Sequence, residues 1–451
     1  MPQNRTLQDV IDGAGSPVSL LRSAQVGPFP FPFPAEYSNW RDEQATWKTK
    51  AVLFDQSFHM TDHYFRGRGV KKLLSDFSVN SFSTFGAMKA KQIVTVNEQG
   101  RMIADAILFG WKQDEVSVVG SSVAGNWLQY QALRGGYDVE VEVDASSVIN
   151  PHRKLFRFQL NGPLTQAIVE KASNGTLGHI KFFNIGRFTI DGVEVQALNH
   201  TMIGIPGLET TGLEITGPIG DGPRVKAALL AAGEEFGLLE GGSLAYGSTA
   251  LEGSWIPLPV PAIYTGEALR EYRQWLPAQS LEANFSIAGS YASEAIDDYY
   301  VTPWDVGYGR MIKFDHDFYG RDALEQLAEQ PQRQKVWLVW NDEDVAHAIA
   351  SSYFGGDKRA KYLNAPWANY GVSQYDELRD RDRVVGISTV AGYTVNVGHW
   401  SSLAMVDREV AVDGKELTLI WGEAGIGRRK PTVEAHIRTE IRATVRTSAI
   451  A

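Results

Sequence analysis

The chain of 451 residues contains no cysteine. That single absence excludes disulfides, thiolate metal sites and thiol nucleophiles. It also lacks any run near the roughly 20 apolar residues needed to cross a bilayer. Its first residues, Met1 to Arg5, lead into polar, helix-like sequence rather than an apolar leader. Positive charge is in deficit, with 43 Lys and Arg against 53 Asp and Glu and a formal net charge of -10. Without a concentrated basic face, that balance argues against nucleic acid as a partner. These absences suggest a cytoplasmic protein with no membrane partner, and they leave its oligomeric state open. Short catalytic signatures are missing too, among them the G-x-S-x-G elbow and the P-loop. Gly422-Glu423-Ala424-Gly425-Ile426-Gly427 follows a late β segment and opens no clear helix, so it is no dinucleotide fingerprint. His59 and His63 have the spacing of a two-histidine metal pair. Their surroundings alternate as in a strand and lack the glutamate of a zinc-protease helix, so no metal is expected.

Aromatic residues are plentiful: 12 Trp, 17 Tyr and 20 Phe, enough for large apolar pockets as well as cores. The length suits two or three domains sharing an interface. Helical spacing runs from Leu7 to Arg22. The stretch Gly27-Pro28-Phe29-Pro30-Phe31-Pro32-Phe33-Pro34 then forbids helix and favours an extended backbone. Phe29, Phe31 and Phe33 belong either to a strap on the surface or to a strap whose rings wall a pocket. A strand, a glycine turn and a helix then recur three times. The copies are Tyr64 to Gly67 before Val70 to Leu74, Phe158 to Pro163 before Ala167 to Ala172, and Leu213 to Pro218 before Arg224 to Leu230. Interleaved with further strands, they predict an α+β fold with ferredoxin-like subdomains. Beyond about residue 333 the texture becomes strand after strand, as in Lys335 to Trp340, Val384 to Val390 and Leu417 to Trp421. The reading is an α/β region over 1–332 and a C-terminal β-barrel over 333–451.

Asp105 stands inside the apolar run Met102 to Leu108. A carboxylate on a buried strand must be paired, hydrogen-bonded or protonated, so its presence asks for a reason. Around it lies a spaced set of blocks: Phe54-Asp55-Gln56-Ser57-Phe58-His59-Met60, Gly100 to Leu108, Tyr246 to Glu252, and Phe318-Tyr319-Gly320-Arg321-Asp322-Ala323-Leu324. In this order they resemble the aminomethyltransferase (glycine-cleavage T-protein) superfamily. Further stretches, including Tyr37 to Arg41, Lys89 to Gln92, Ala262 to Gly266, Tyr272 to Ala278 and Asp298 to Val301, more closely resemble the tetrahydrofolate-dependent aryl O-demethylases acting on vanillate and syringate. The resemblance implies three interwoven subdomains around a central opening that holds tetrahydrofolate as methyl acceptor. The implied activity is methyl transfer from a methoxy-aromatic acid. The alternative is an aminomethyl- or N-methyl-transferring enzyme of the T-protein or dimethylglycine/sarcosine demethylase kind.

Carried over residue by residue, the resemblance makes Asp105 the acidic group near the reacting folate centre and Glu214 the carboxylate that grips the pterin, with Glu209 as a competitor. It gives Tyr246 a catalytic role, because expelling a phenolate calls for a phenolic donor. His59 is the second candidate for handling that proton. Gln56, Met60 and Trp255 are implied at the folate, and Phe29, Phe31, Phe33 and Ser121 at the aromatic substrate. One departure matters. The family places an arginine, clamping the benzoate carboxylate, where this chain has Ser121 in Gly120-Ser121-Ser122-Val123. A hydroxyl does not replace a bidentate guanidinium. A more apolar ring such as a chlorinated methoxybenzoate (dicamba) therefore competes with syringate or vanillate, with His59 or His63 offering a polar or cationic contact.

Overall fold

In the computed structural model, which describes residues 5–203, 208, 210–423, 430 and 433–449, all three strand–turn–helix repeats form. Their turns explain the glycines. Gly67 and Gly162 both hold φ at +134°. A Cβ would stand 2.1 Å from the Asp138 carbonyl oxygen at Gly67 and 2.3 Å from that of Lys50 at Gly162. No side chain fits at either turn.

Two repeats, Leu155–Asn161 with Thr165–Ala172 and Gly212–Pro218 with Gly222–Gly233, belong to one six-stranded sheet. Its order is Leu239–Glu240, Val52–Asp55, Leu155–Asn161, Gly212–Pro218, Val193–Asn199 and Ile185–Ile190. The remaining repeat, Thr61–Arg66 with Val70–Asp76, lies in a five-stranded sheet ordered Lys89–Val96, Met102–Lys112, Glu115–Gly120, Thr61–Arg66 and Glu140–Asp144. The chain enters the first sheet at Val52, crosses through 56–60 to build the second, and returns at Leu155. The subdomains are thus interwoven, and the crossing segment lies between the two sheets.

The third unit is a closed six-stranded barrel of antiparallel neighbours, closed by the pairing of Gln334–Trp340 with Thr439–Arg446. Val336, Leu338 and Trp340 face its interior with Leu419, Trp421 and Ile441. The alternate residue Trp337 faces the other way, into the main core, where its indole donates to the Leu251 carbonyl at 3.2 Å. Period-two alternation thus serves both the barrel interior and its seat on the α/β region. The helix read over Leu7 to Arg22 is two helices, Leu7–Ala14 and Pro17–Ser23. Gly15 ends the first in left-handed conformation, and Ser16 caps the second ahead of Pro17. Among the described residues no helix is long and apolar enough to cross a membrane.

Candidate active site

Two chain-distant pieces meet at the segment that crosses between the sheets, and a third, polar cluster forms around Asp105. The first is the strap. Its prolines Pro30, Pro32 and Pro34 are exposed, while Phe29, Phe31 and Phe33 are half-buried, so the rings turn inward. Phe31 lies 5.0 Å from the ring of Tyr246, 5.3 Å from that of His59 and 6.1 Å from that of Trp367. Phe33 lies 5.7 Å from Tyr246, and Phe29 6.4 Å from His59. The strap thus does not lie with its rings on the surface: they pack on Tyr246, His59 and Trp367. Glu43 ties its far end: one carboxylate oxygen accepts from the N–H groups of Tyr37 (2.8 Å) and Ser38 (3.0 Å). Its other oxygen accepts from the N–H of Gly242 (2.8 Å), the cap of the helix Ser243–Glu252. One buried carboxylate therefore fixes the strap to the helix that carries Tyr246.

The second piece is that tyrosine. Its hydroxyl accepts from Gln56 Nε2 at 3.2 Å and stands 3.0 Å from His59 Nε2. Burial pushes the Tyr246 hydroxyl above the ordinary tyrosine value. Burial also lowers His59 to about 3, with Arg157 and Arg153 adding to the effect. His59 is therefore a neutral imidazole, and it gives a polar contact rather than the cationic one considered from sequence. Among the described residues its Nδ1 and the Gln56 Oε1, both buried, have no hydrogen-bond partner. His63 does not join them. Its ring packs against Gly125, where a Cβ would stand 2.1 Å away, and its Nε2 lies 3.2 Å from Asn126.

The third piece is Asp105, on the strand Met102–Lys112. Gln92 (2.7 Å), Tyr308 (2.8 Å) and Trp255 (3.1 Å) all donate to its Oδ2. Among the described residues Oδ1 takes no hydrogen bond. Burial raises the Asp105 carboxyl above its usual range, against these three donors. Trp255 is 44% exposed, unusually so for an indole whose N–H reaches an inner carboxylate.

Glu214 is buried, with one oxygen on Arg157 and the other 2.6 Å from His200 Nε2. Burial would raise it, yet Arg157 and His200 bring it down to about 2. Arg157 continues to Asp62 at 2.7 Å, and Asp62 to Arg153 at 2.6 Å. Arg157 and Glu214 stand on the first sheet and Asp62 on the second, so this buried chain of charges rivets the two. Met60 packs with Met88, Trp111 and Phe183, away from the strap. Ser121 precedes the helix Ser122–Arg134, and its hydroxyl makes no capping bond. Glu209, the competitor of Glu214, lies outside the described residues. Sequence reasoning missed Gln92, Tyr308, Arg157, His200 and Trp367. The signal for Arg157 was present: a cation inside Leu155-Phe156-Arg157-Phe158 poses the question that Asp105 does.

Residues 24–258 match the model of the family described as the GCVT N-terminal domain. A syringate O-demethylase of Sphingobium sp. is 42% identical over 98% of this chain and 95% of its own length. A sesamin methylene transferase of Sinomonas sp. is 28% identical over 81% of this chain and 80% of its own. An aminomethyltransferase of Streptomyces avermitilis is 24% identical over 72% and 76%. The crystal structure of the glycine cleavage system aminomethyltransferase T from Bartonella henselae superimposes with a TM-score of 0.62 at 18% identity, covering 99% of this chain and 97% of that one. It agrees in fold.

Proposed function

The chain belongs to the family of the GCVT N-terminal domain, and from that premise we propose that it is a tetrahydrofolate-dependent O-demethylase. It moves a methyl group from a methoxy-aromatic acid to tetrahydrofolate, giving a phenol and 5-methyltetrahydrofolate. The observation that carries this reading is the Tyr246 hydroxyl, set between Gln56 and His59 beneath the inward rings of the strap. Aromatic rings of this kind suit an aryl ether as neighbour. The ether carbon–oxygen bond breaks as a carbon–nitrogen bond forms, and the proton leaving the acceptor nitrogen balances the phenol that is released.

The protein's part is alignment and charge. Tyr246, raised by burial, stays protonated and donates a hydrogen bond to the ether oxygen as negative charge grows there. It holds that oxygen without yielding its own proton to a phenolate of ordinary basicity. Gln56 orients the tyrosine oxygen, and neutral His59 offers its Nε2 as a hydrogen-bond partner without taking a proton. Tetrahydrofolate, when bound, supplies the nucleophilic nitrogen that takes the methyl. The residues present fit it: Asp105 offers the free Oδ1, Trp255 an exposed indole face, and Glu214 its remaining lone pairs. Met60, partly buried against the cluster of Phe109, Val119 and Leu198, is included with them on the resemblance alone. Phe29, Phe31 and Phe33 hold the aromatic ring, with Ser121 as a small polar contact in place of a guanidinium. The proposal includes a cytoplasmic location, a reducing compartment that keeps a tetrahydropterin reduced.

The test is incubation with tetrahydrofolate and a panel of methoxybenzoates, including syringate, vanillate and dicamba. Chromatography should show a phenol and 5-methyltetrahydrofolate in equal amounts. Turnover of an aminomethyl or N-methyl donor, with none of any aryl ether, would replace this reading with the alternative transferase.

A further inference from the structure

Two of the three donors to Asp105 come from turns, and both turns touch one lysine that the reaction does not use. Lys335 lies on the first barrel strand, Gln334–Trp340, and its ammonium donates to the Ser254 carbonyl at 2.5 Å. Ser254 has φ of +54°, a left-handed conformation that residues other than glycine rarely adopt and that needs outside support. The next residue is Trp255, whose indole reaches Asp105 at 3.1 Å. On the other side stands Gly307, with φ of +88°. A Cβ there would lie 3.0 Å from both Cε and Nζ of Lys335, so glycine leaves the lane in which the lysine runs. The residue after Gly307 is Tyr308, the donor at 2.8 Å.

We propose that Lys335 is a positioning residue for the folate site, holding the Ser254 and Gly307 turns so that Trp255 and Tyr308 donate together to Asp105. Its charge also favours the ionised carboxylate. Besides Lys335, the groups facing Asp105 are Gln92, Trp255 and Tyr308, and of these only Tyr308 titrates. Burial lowers Lys335 from the usual lysine value while the Asp105 charge acts to raise it, which fits a cation held inward toward a carboxylate. The barrel thereby supplies the folate site with a part that the α/β region lacks. The inference rests on the folate reading of Asp105.

The test compares Lys335→Met, which keeps the stem, with Lys335→Arg, which keeps the cation and a donor. In the ligand-free protein, the emission of Trp255 is isolated by difference from Trp255→Phe. It should shift to the red in Lys335→Met and return toward the parental position in Lys335→Arg. By calorimetry, Lys335→Met should bind tetrahydrofolate roughly tenfold more weakly, and the acid limb of its affinity should move to higher pH. Lys335→Arg should recover most of both. If Lys335→Met does not fold, Lys335→Gln, with a shorter donor and no charge, is measured instead and should show the same shifts. Parental emission and parental tetrahydrofolate affinity in the neutral variant would overturn the proposal. If the parent itself fails to bind tetrahydrofolate, the folate reading falls, and the ligand-free emission still decides whether Lys335 sets Trp255.

Discussion

Tyr246 has one hydroxyl and two polar neighbours, so its proton has a limited choice. With Gln56 donating to its oxygen, the proton points to His59 or, when an ether oxygen arrives, to that oxygen. Tyr246→Phe keeps the ring among Phe31, Phe33 and Phe54 and deletes only the donor. Turnover should fall by about 10²–10⁴, with tetrahydrofolate affinity by calorimetry near the parental value. A variant demethylating at close to the parental rate would make Tyr246 a packing residue. Asp105 and Tyr246 were legible because each stands in a recognisable block, and because a carboxylate in an apolar run needs an explanation. Gln56, His59 and Trp255 were legible in the same way, but the pairings were not. Tyr308 reaches Asp105 from 203 positions away and Gln56 reaches Tyr246 across 190, separations that no periodicity encodes. Glu214 stood out in the sequence through its resemblance to the family's pterin carboxylate, but its hold by Arg157 and His200 did not.

At the scale of elements, the strap and the helix Ser243–Glu252 act as one part because Glu43 accepts from both. Glu43→Gln nearly preserves shape but turns an NH₂ toward backbone N–H groups at one end or the other. That donor-on-donor clash should cost about 1–3 kcal/mol in denaturant unfolding. The strap should also become more open to proteases near Pro34, and KM for the aromatic substrate should rise more than Kd for tetrahydrofolate. Unchanged stability together with unchanged KM would show that the strap is held elsewhere. The elements themselves were largely readable. Glycine turns, apolar alternation and proline positions marked the repeats and the barrel strands, since local backbone preference and burial agree there. The first helix was misread as continuous because its apolar spacing persists across Gly15 and Ser16, which break it. The inward turn of the strap could not be read from its own residues, because the surface that buries its rings comes from Tyr246 and Trp367.

For the whole molecule, two buried histidines lower acid stability, while buried carboxyls such as Asp376, raised to about 6, act with the opposite sign. His59 and His63 are lowered by burial to about 3 and about 4, so both remain neutral in the folded chain where an ordinary imidazole, near 6.5, takes a proton. Below pH 6.5 the unfolded chain binds protons that the folded one refuses. Stability should fall by about 1.4 kcal/mol per pH unit for each such histidine. Glu214, depressed to about 2, adds a contribution present above its ordinary 4.5 and lost as pH falls through 2. The histidine contribution is therefore read from urea midpoints against pH as the difference between the parent and a histidine variant, which should open below pH 6.5. His59→Gln should make the decline shallower, and an unchanged slope would show that His59 takes up protons in the folded state.

The aromatic cluster under the strap enters the chain at Phe29 to Phe33, at Gln56 to His59, at Tyr246 and finally at Trp367. Gln44, beside Glu43, even accepts from the N–H of Val395, 351 positions on. During synthesis at about 5–20 residues per second, the strap therefore waits roughly 20–80 s for its last covering surface to leave the ribosome. For that interval the three phenylalanine rings have only part of the surface they finally lie against. The nascent chain presents an apolar ribbon to chaperones long before it has anywhere to hold a pterin.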